Sequence, residues 1–121
     1  MRNECELIVE HAIRRVLPDE AVRRALCDCD LSSGRILLIS VGKAAWSMAR
    51  AAWEVLGDRI SDGIVVTKHG YSMGAIGSLT VLEAGHPVPD DDSFAAAERV
   101  LSLTDGLCAE DTVIFLLSGG G

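Results

Sequence analysis

The sequence lacks a long apolar run and a secretory signal. No uninterrupted apolar stretch of its 121 residues approaches the roughly 20 residues that a membrane-spanning helix needs. The charged amino terminus has neither an apolar core nor a small-residue cleavage site, so a signal peptide is not expected. We therefore predict a cytoplasmic protein without a membrane segment.

A basic stripe is also absent. The formal net charge is −7, and residues 87–111 contain seven acidic side chains against one base, Arg99. Proteins that follow a nucleic-acid backbone present clustered Lys and Arg, so this composition argues against nucleic-acid binding. We interpret the acidic segment as a solvated surface.

The four cysteines are poorly spaced for a metal site. Cys27 and Cys29 form a C-x-C pair, but no second pair or nearby His follows at zinc-finger spacing. We expect free thiols in a reducing compartment and assign no metal ligand.

What is present is an alternation of short apolar strands and amphipathic helices. Hydrophobic residues make up 49% of the chain, which fits one globular domain. Alternating strands and helices are typical of βαβ units. We therefore predict an α/β fold with a three-layer αβα, Rossmann-like parallel sheet. Periodicity predicts helices over residues 4–17, 19–26, 43–56 and from 92 or 93 to about 103, and strands over 36–41, 63–68, 79–82 and 112–117.

The residues that follow the predicted strands share a composition. All four segments contain glycine, and three contain a cationic or titratable side chain. Ligands of such sheets bind at the carboxyl ends of the strands, and glycine lets backbone N–H groups approach an anion. The pattern predicts an anionic ligand, phosphate above all. The segments are Gly42-Lys43, Lys68-His69-Gly70, Gly85-His86 and Ser118 to Gly121.

Two common nucleotide-binding motifs do not match. A Walker A loop would need Gly and Ser or Thr where this sequence has Leu37 and Ala44. The dinucleotide motif G-x-G-x-x-G fails because Gly42 is followed by Lys-Ala-Ala-Trp. Lys43 remains as the candidate cation, at the predicted first turn of a helix. The alternative interpretation is that the ammonium group of Lys43 extends into water and has no role in a site.

The two loop histidines and the acidic triplet each have two interpretations. His69 and His86 are either site residues or ordinary surface residues of Gly-flanked loops. Residues 90–92 are first of all helix caps and only second a source of Mg²⁺ ligands.

Four segments in register resemble the class II glycerate kinases, the glycerate 2-kinases of the MOFRL family. Some members of that family carry the older label hydroxypyruvate reductase. The resemblance spans nearly the whole chain but only the first quarter to third of such an enzyme. It implies that residues 1–121 form the N-terminal part of the family's Rossmann-like domain, without the C-terminal domain. The segments are 41–45 (VGKAA), 63–70 (GIVVTKHG), 84–90 (AGHPVPD) and 116–121 (LLSGGG).

The resemblance implies ATP-dependent phosphorylation of the 2-hydroxyl of D-glycerate, with Mg²⁺, in a cleft between two domains. Lys43 matches the family's active-site lysine. The positions that match loops binding substrate or phosphate are Gly42, His69, Gly70, His86, Ser118, Gly119, Gly120 and Gly121.

Two other functions stay open. One is a stand-alone module that binds a phosphorylated ligand or a partner chain. The other is a hydroxypyruvate reductase fragment, against which the absent G-x-G-x-x-G motif argues. We expect the 121-residue chain to be inactive by itself, and to self-associate through apolar surface near residues 112–117.

Overall fold

The computed structural model describes residues 2–31 and 33–119. None of the helices in these two ranges is long and apolar enough to cross a membrane. The elements, in chain order, are α1 (Arg2–Val16), α2 (Pro18–Cys27), β1 (Ile36–Val41), α3 (Ala45–Leu56), β2 (Asp62–Lys68), β3 (Thr80–Ala84), α4 (Asp91–Leu103) and β4 (Thr112–Leu117).

The four strands form one parallel sheet in the order β3-β2-β1-β4. The chain adds β2 and β3 on one side of β1 and then returns to place β4 on the other side. The predicted α/β fold with a parallel sheet is confirmed. Because the strand order reverses between β1 and β4, their carboxyl ends flank the topological switch point, where ligands of open α/β sheets bind.

One face of the sheet is covered by α3, and α2 packs against α3. Leu38 and Val65 are 0% exposed on this face and belong to the main hydrophobic core. The facing side of α3 is built from small residues, Ala45, Ala49 and Ala52, which are also 0% exposed. Because these side chains are short, the helix axis can lie close to the strands.

The opposite face is covered only in part, because α4 packs chiefly against β2 and β3. On β4, every second side chain points to this face. Val113, Phe115 and Leu117 are 39%, 56% and 71% exposed. The expected apolar exposure within residues 112–117 is therefore confirmed.

Helix α1 has an apolar stripe that the described residues do not bury. Ile8, Val9 and Ile13 follow the predicted helical period, yet they are 68%, 56% and 53% exposed. Its main packing partner among the described elements is α2. The amphipathic pattern therefore predicted the helix correctly without indicating what covers it.

Two predicted helix starts were wrong. Pro18 opens α2 at its first helical position, so the helix begins one residue before the predicted start at residue 19. This position suits proline, because the first N–H groups of a helix have no intrahelical acceptor. Helix α3 begins at Ala45 instead of residue 43, because the chain first makes a turn at Gly42 with φ 119°. Lys43 therefore precedes the helix.

The predicted start of α4 at residue 92 or 93 and the predicted ends of β3 were also wrong, although the cap does come from the acidic residues 90–92. The N-cap is Asp90, whose carboxylate accepts from the Ser93 N–H at 3.0 Å while the Ser93 hydroxyl accepts from the Asp90 N–H at 3.1 Å. This reciprocal pair is a capping box. Strand β3 covers residues 80–84 instead of 79–82, because it stays paired with β2 as far as Lys68 opposite Ala84.

Candidate active site

The carboxyl ends of the strands border a cleft of about 770 Å³. The cleft lies between α4 and the partly covered face of the sheet. Val41 and Phe115 line it from the strands, and Ala96 and Val100 line it from α4. It therefore includes the switch point between β1 and β4, at the carboxyl edge of the sheet where the sequence predicted an anion site.

Most of the predicted site residues that the structure describes meet in this cleft. His69 and Gly70 are not among its lining residues, and Gly120 and Gly121 lie outside the described residues. Lys68, which the sequence analysis noted but did not select, lines the cleft as well. The predicted residues that do line it are Gly42, Lys43, His86, Ser118 and Gly119.

Lys43 is presented by a tight turn, residues 42–45, which we call the Lys43 turn. The Ala45 N–H donates to the Gly42 carbonyl at 3.1 Å, and the Gly42 N–H donates to the Val66 carbonyl of β2 at 3.0 Å. A Cβ atom on Gly42 would lie 2.1 Å from the carbonyl oxygen of Ser118. Glycine is required here by this close approach and by its φ of 119°.

Two buried hydroxyl side chains contact the same turn, and the sequence analysis overlooked both. Ser40 and Thr67 are 0% and 2% exposed. Ser40 Oγ donates to the Ala45 carbonyl at 2.9 Å, and Thr67 Oγ1 donates to the Lys43 carbonyl at 3.3 Å. The available signal was a hydroxyl residue near the carboxyl end of an otherwise apolar strand.

Two lysines and a histidine lie around the cleft. Lys43, Lys68 and His86 all line it, while the Lys68 Nζ also lies 5.5 Å from the centroid of the Tyr71 ring. Basic side chains beside glycine-bounded backbone are the elements of a phosphate or carboxylate site. The arrangement supports an anionic ligand.

His69 forms a separate cluster beside the cleft. Its Nε2 lies 3.0 Å from Asp90 Oδ2 and 3.5 Å from Asp92 Oδ2. The hydrogen bond to Asp90 raises the pKa of His69. That bond and a second one from the Gly85 N–H lower the pKa of Asp90. Asp90 thus joins His69 to the loop that carries His86.

The same cluster offers three potential metal ligands. His69, Asp90 and Asp92 bring one imidazole nitrogen and two carboxylate oxygens within 4.8 Å of one another. Imidazole favours transition metals, whereas Mg²⁺ prefers oxygen ligands and retained water. Both Asp90 oxygens already accept hydrogen bonds, from Gly85, Ser93 and His69. The cluster therefore does not fit a dedicated Mg²⁺ site.

Comparison with known proteins identifies the family. Residues 4–121 match the family described as a domain of unknown function, DUF4147. The chain belongs to the DUF4147 family. The D-glycerate 2-kinase of Thermotoga maritima is 53% identical over 114 residues, which cover 94% of this DUF4147 chain and 27% of that protein.

Solved structures share the DUF4147 fold seen here. The crystal structure of glycerate kinase from Thermotoga maritima matches with a TM-score of 0.86 at 52% identity, over 93% of this chain and 27% of that one. A protein from Pyrococcus horikoshii matches with a TM-score of 0.86 at 35% identity, over 98% of this chain and 29% of that one. The chain spans about a quarter of the length of these relatives. The predicted resemblance to glycerate kinases is confirmed, while the roles of individual site residues stay predictions.

Proposed function

We propose that this chain forms one wall of the active site of an ATP-dependent glycerate 2-kinase. The reaction would transfer the γ-phosphoryl group of ATP to the 2-hydroxyl of D-glycerate in a cytoplasmic enzyme. The observation that carries the proposal is the placement of Lys43 at the switch point, in a cleft that Ser118 and Gly119 also line. The similarity to a D-glycerate 2-kinase supports the choice of reaction.

Lys43 is proposed as the catalytic cation. Phosphoryl transfer depends mostly on positioning and on electrostatic stabilisation of the phosphoryl oxygens. An ammonium group at Lys43 would neutralise charge on the transferring phosphoryl group or bind the carboxylate of glycerate. His86 and the backbone N–H of Gly119 would supply further hydrogen bonds to the same anion.

ATP and Mg²⁺ complete the proposal. When bound, Mg²⁺ neutralises charge on the nucleotide phosphates. No described residue is assigned to it, because the His69 cluster does not fit this metal. We propose Mg²⁺ as a partner of the nucleotide.

Anion binding is the first test, and the 121-residue chain suffices for it. ATP, glycerate and pyrophosphate are titrated into the wild type, Lys43→Ala and Arg99→Ala. The last variant is a matched control, because it removes one positive charge from a residue of α4 that does not line the cleft. We expect Lys43→Ala to weaken pyrophosphate binding about tenfold or more, as for loss of a charged hydrogen bond, and Arg99→Ala to change it little. Equal effects of the two variants would argue against the proposal.

Catalysis is tested in a chimera. Residues 4–121 replace the matching segment of the Thermotoga maritima D-glycerate 2-kinase, and ATP-dependent formation of 2-phosphoglycerate is measured. We expect the chimera to be active and its Lys43→Ala variant to lose about 100-fold in kcat. Pyrophosphate binding with an inactive chimera would favour the stand-alone binding module. The 121-residue chain alone should form no 2-phosphoglycerate.

The reductase alternative receives little support from the site. The Lys43 turn has a single glycine, Gly42, where a dinucleotide-binding turn has three. Assay of the chimera with hydroxypyruvate and a reduced nicotinamide cofactor tests this alternative, and we expect no turnover.

We further propose that the chain self-associates through β4. Among the described residues, β4 pairs only with β1, so its outer backbone edge is open to a second strand. Phe115 and Leu117 add exposed apolar surface beside that edge. Open strand edges with apolar neighbours favour association with another copy.

A further inference from the structure

Hydroxyl groups from β1, from β2 and from the residue that follows β4 converge on the Lys43 turn. Ser40 of β1 donates to the Ala45 carbonyl at 2.9 Å, and Thr67 of β2 donates to the Lys43 carbonyl at 3.3 Å. From the end of β4, Ser118 Oγ accepts from the Ala44 N–H at 2.9 Å. Three consecutive residues of the turn therefore each bond to a hydroxyl group from a different part of the sheet's carboxyl edge.

The bond from Ser118 compensates for a weak helix start. Ala44 is the N-cap of α3 and has no side chain that can accept a hydrogen bond. The first N–H groups of a helix need acceptors from outside the helix. Ser118, which lies 74 residues away in sequence, provides one of these acceptors.

The convergence is not what burial alone would require. A buried hydroxyl must find a partner, and Ser or Thr commonly finds one in the backbone near its own position. Here Thr67 and Ser118 instead reach a turn that is distant in sequence, and Ser40 reaches five residues ahead to the same turn. These bonds tie the turn to the sheet at three points, and so restrict the direction in which the turn presents Lys43.

We propose that Ser40, Thr67 and Ser118 are positioning residues that fix the Lys43 turn in its anion-binding orientation. The inference rests on the proposed function, because it assumes that Lys43 binds an anion in the cleft. It adds that Ser118 acts through the Ala44 N–H. A ligand that moves Ser118, the first residue after β4, would therefore also move the Lys43 turn.

The test uses two hydroxyl deletions in the 121-residue chain, Thr67→Val and Ser118→Ala. Thr67→Ser and Ser118→Thr are the conservative variants, which keep a hydroxyl group at each position. Thr104→Val is the matched control, because Thr104 also donates to a backbone carbonyl, that of Leu101 at 2.8 Å, but at the far end of α4. Ser40→Ala is a third hydroxyl deletion. It is included if circular dichroism shows that this variant is folded.

Two readouts separate positioning from overall stability. The first is hydrogen exchange of the Ala44 amide together with NMR order parameters for residues 42–44. The second is the Kd for pyrophosphate. For Ser118→Ala we expect about tenfold faster Ala44 exchange, and for both deletions lower order in the turn and about tenfold weaker pyrophosphate binding. Thr67→Ser and Ser118→Thr should be close to the wild type in turn order and in pyrophosphate binding. Thr104→Val should match the wild type.

The outcomes distinguish this inference from the proposed function. Unchanged order of the turn and unchanged Ala44 exchange in the deletions would overturn the positioning role, whatever pyrophosphate does. An equal loss of pyrophosphate binding in Thr104→Val and in the deletion variants would also overturn it. Loss of order in a chain whose wild type binds no pyrophosphate would support the three hydroxyls as determinants of the turn and would contradict the proposed function.

Discussion

The two faces of the sheet are built from the same strands but differ in what covers them. On the α3 face, Leu38 and Val65 are 0% exposed. On the α4 face, Leu37 and Ile39 of β1 are each 2% exposed, whereas Phe115 and Leu117 of the edge strand β4 are 56% and 71% exposed. Side chains alternate along a strand, so each strand contributes to both environments.

This contrast separates stability from function. Parallel sheets usually have both faces covered, and the covered face here contains the main hydrophobic core. The other face contains the cleft, with Lys43 at its edge. We infer that the first face supplies most of the folding free energy, while the second is available for ligands and partner surfaces.

The largest expected effect comes from deleting a side chain on the covered face. Leu38→Ala should lower the free energy of unfolding by about 2–5 kcal/mol, because it leaves a cavity in a packed core. Phe115→Ala, on the open face, should cost less than about 1 kcal/mol. Urea unfolding of both variants measures the difference. Similar losses would show that the open face is buried in solution.

Gly42→Ala tests the carboxyl edge, where the two faces meet. The new Cβ would lie 2.1 Å from the Ser118 carbonyl oxygen at a φ of 119°. We expect a loss of about 1–3 kcal/mol of stability and weaker pyrophosphate binding.

The matched control for this substitution is Gly74→Ala. Gly74 has a similar φ of 113° but no atom within 4 Å of a built Cβ, so it has the backbone strain without the clash. Its measured loss of stability should therefore be smaller. An equal loss in the two variants would show that the approach of Ser118 to Gly42 is not tight.

Self-association tests whether the open face binds a second copy. The mass measured by size exclusion with light scattering should rise with concentration for the wild type and stay monomeric for Phe115→Lys. Met73→Lys places the same charge on another exposed apolar residue, 69% exposed in a loop, and should behave like the wild type. A wild type that remains monomeric at high concentration would contradict the proposal.

The smallest effect should be the pH dependence of the His69–Asp90 pair, because both groups are solvent-accessible. Asp90 raises the pKa of His69, so this histidine contributes stability below its unfolded value of about 6.5 and loses it as the pH rises through the folded value. The pKa of Asp90 is lowered, so its contribution is present above an unfolded value of about 3.9 and is lost in acid. The free energy of unfolding of the wild type should therefore exceed that of His69→Gln by the largest amount between about pH 4 and 6.5.

Urea unfolding at pH 5.5 and at pH 8.5 checks this prediction. A double-mutant cycle of His69→Gln with Asp90→Asn separates the pair from the capping role of Asp90. An advantage of the wild type that grows with pH would contradict the assignment.

The strands and the general position of the site could be predicted from the sequence. Apolar runs predicted β1 over residues 36–41 and β4 over 112–117, and both match the structure. The carboxyl-edge rule then placed Lys43 and Ser118 at one site, and both line the cleft. These predictions succeed because they depend on the local pattern and on the parallel direction of the strands.

Other features had no adequate local signal. The helical period of α1 indicated an apolar stripe but not its exposure. The hydrogen bond between His69 and Asp90, 21 residues further along the chain, had no signal in the sequence. Pairings of this kind depend on which loops the fold brings together.

By itself, the sequence determined the α/β alternation, the family and the set of residues at the carboxyl edge. The tertiary structure decided which of those residues share a cleft and how Lys43 is held. The reason is physical. Apolar periodicity is a property of neighbouring residues, whereas the bond from the Ala44 N–H to Ser118 Oγ joins residues that meet only after β4 has paired with β1.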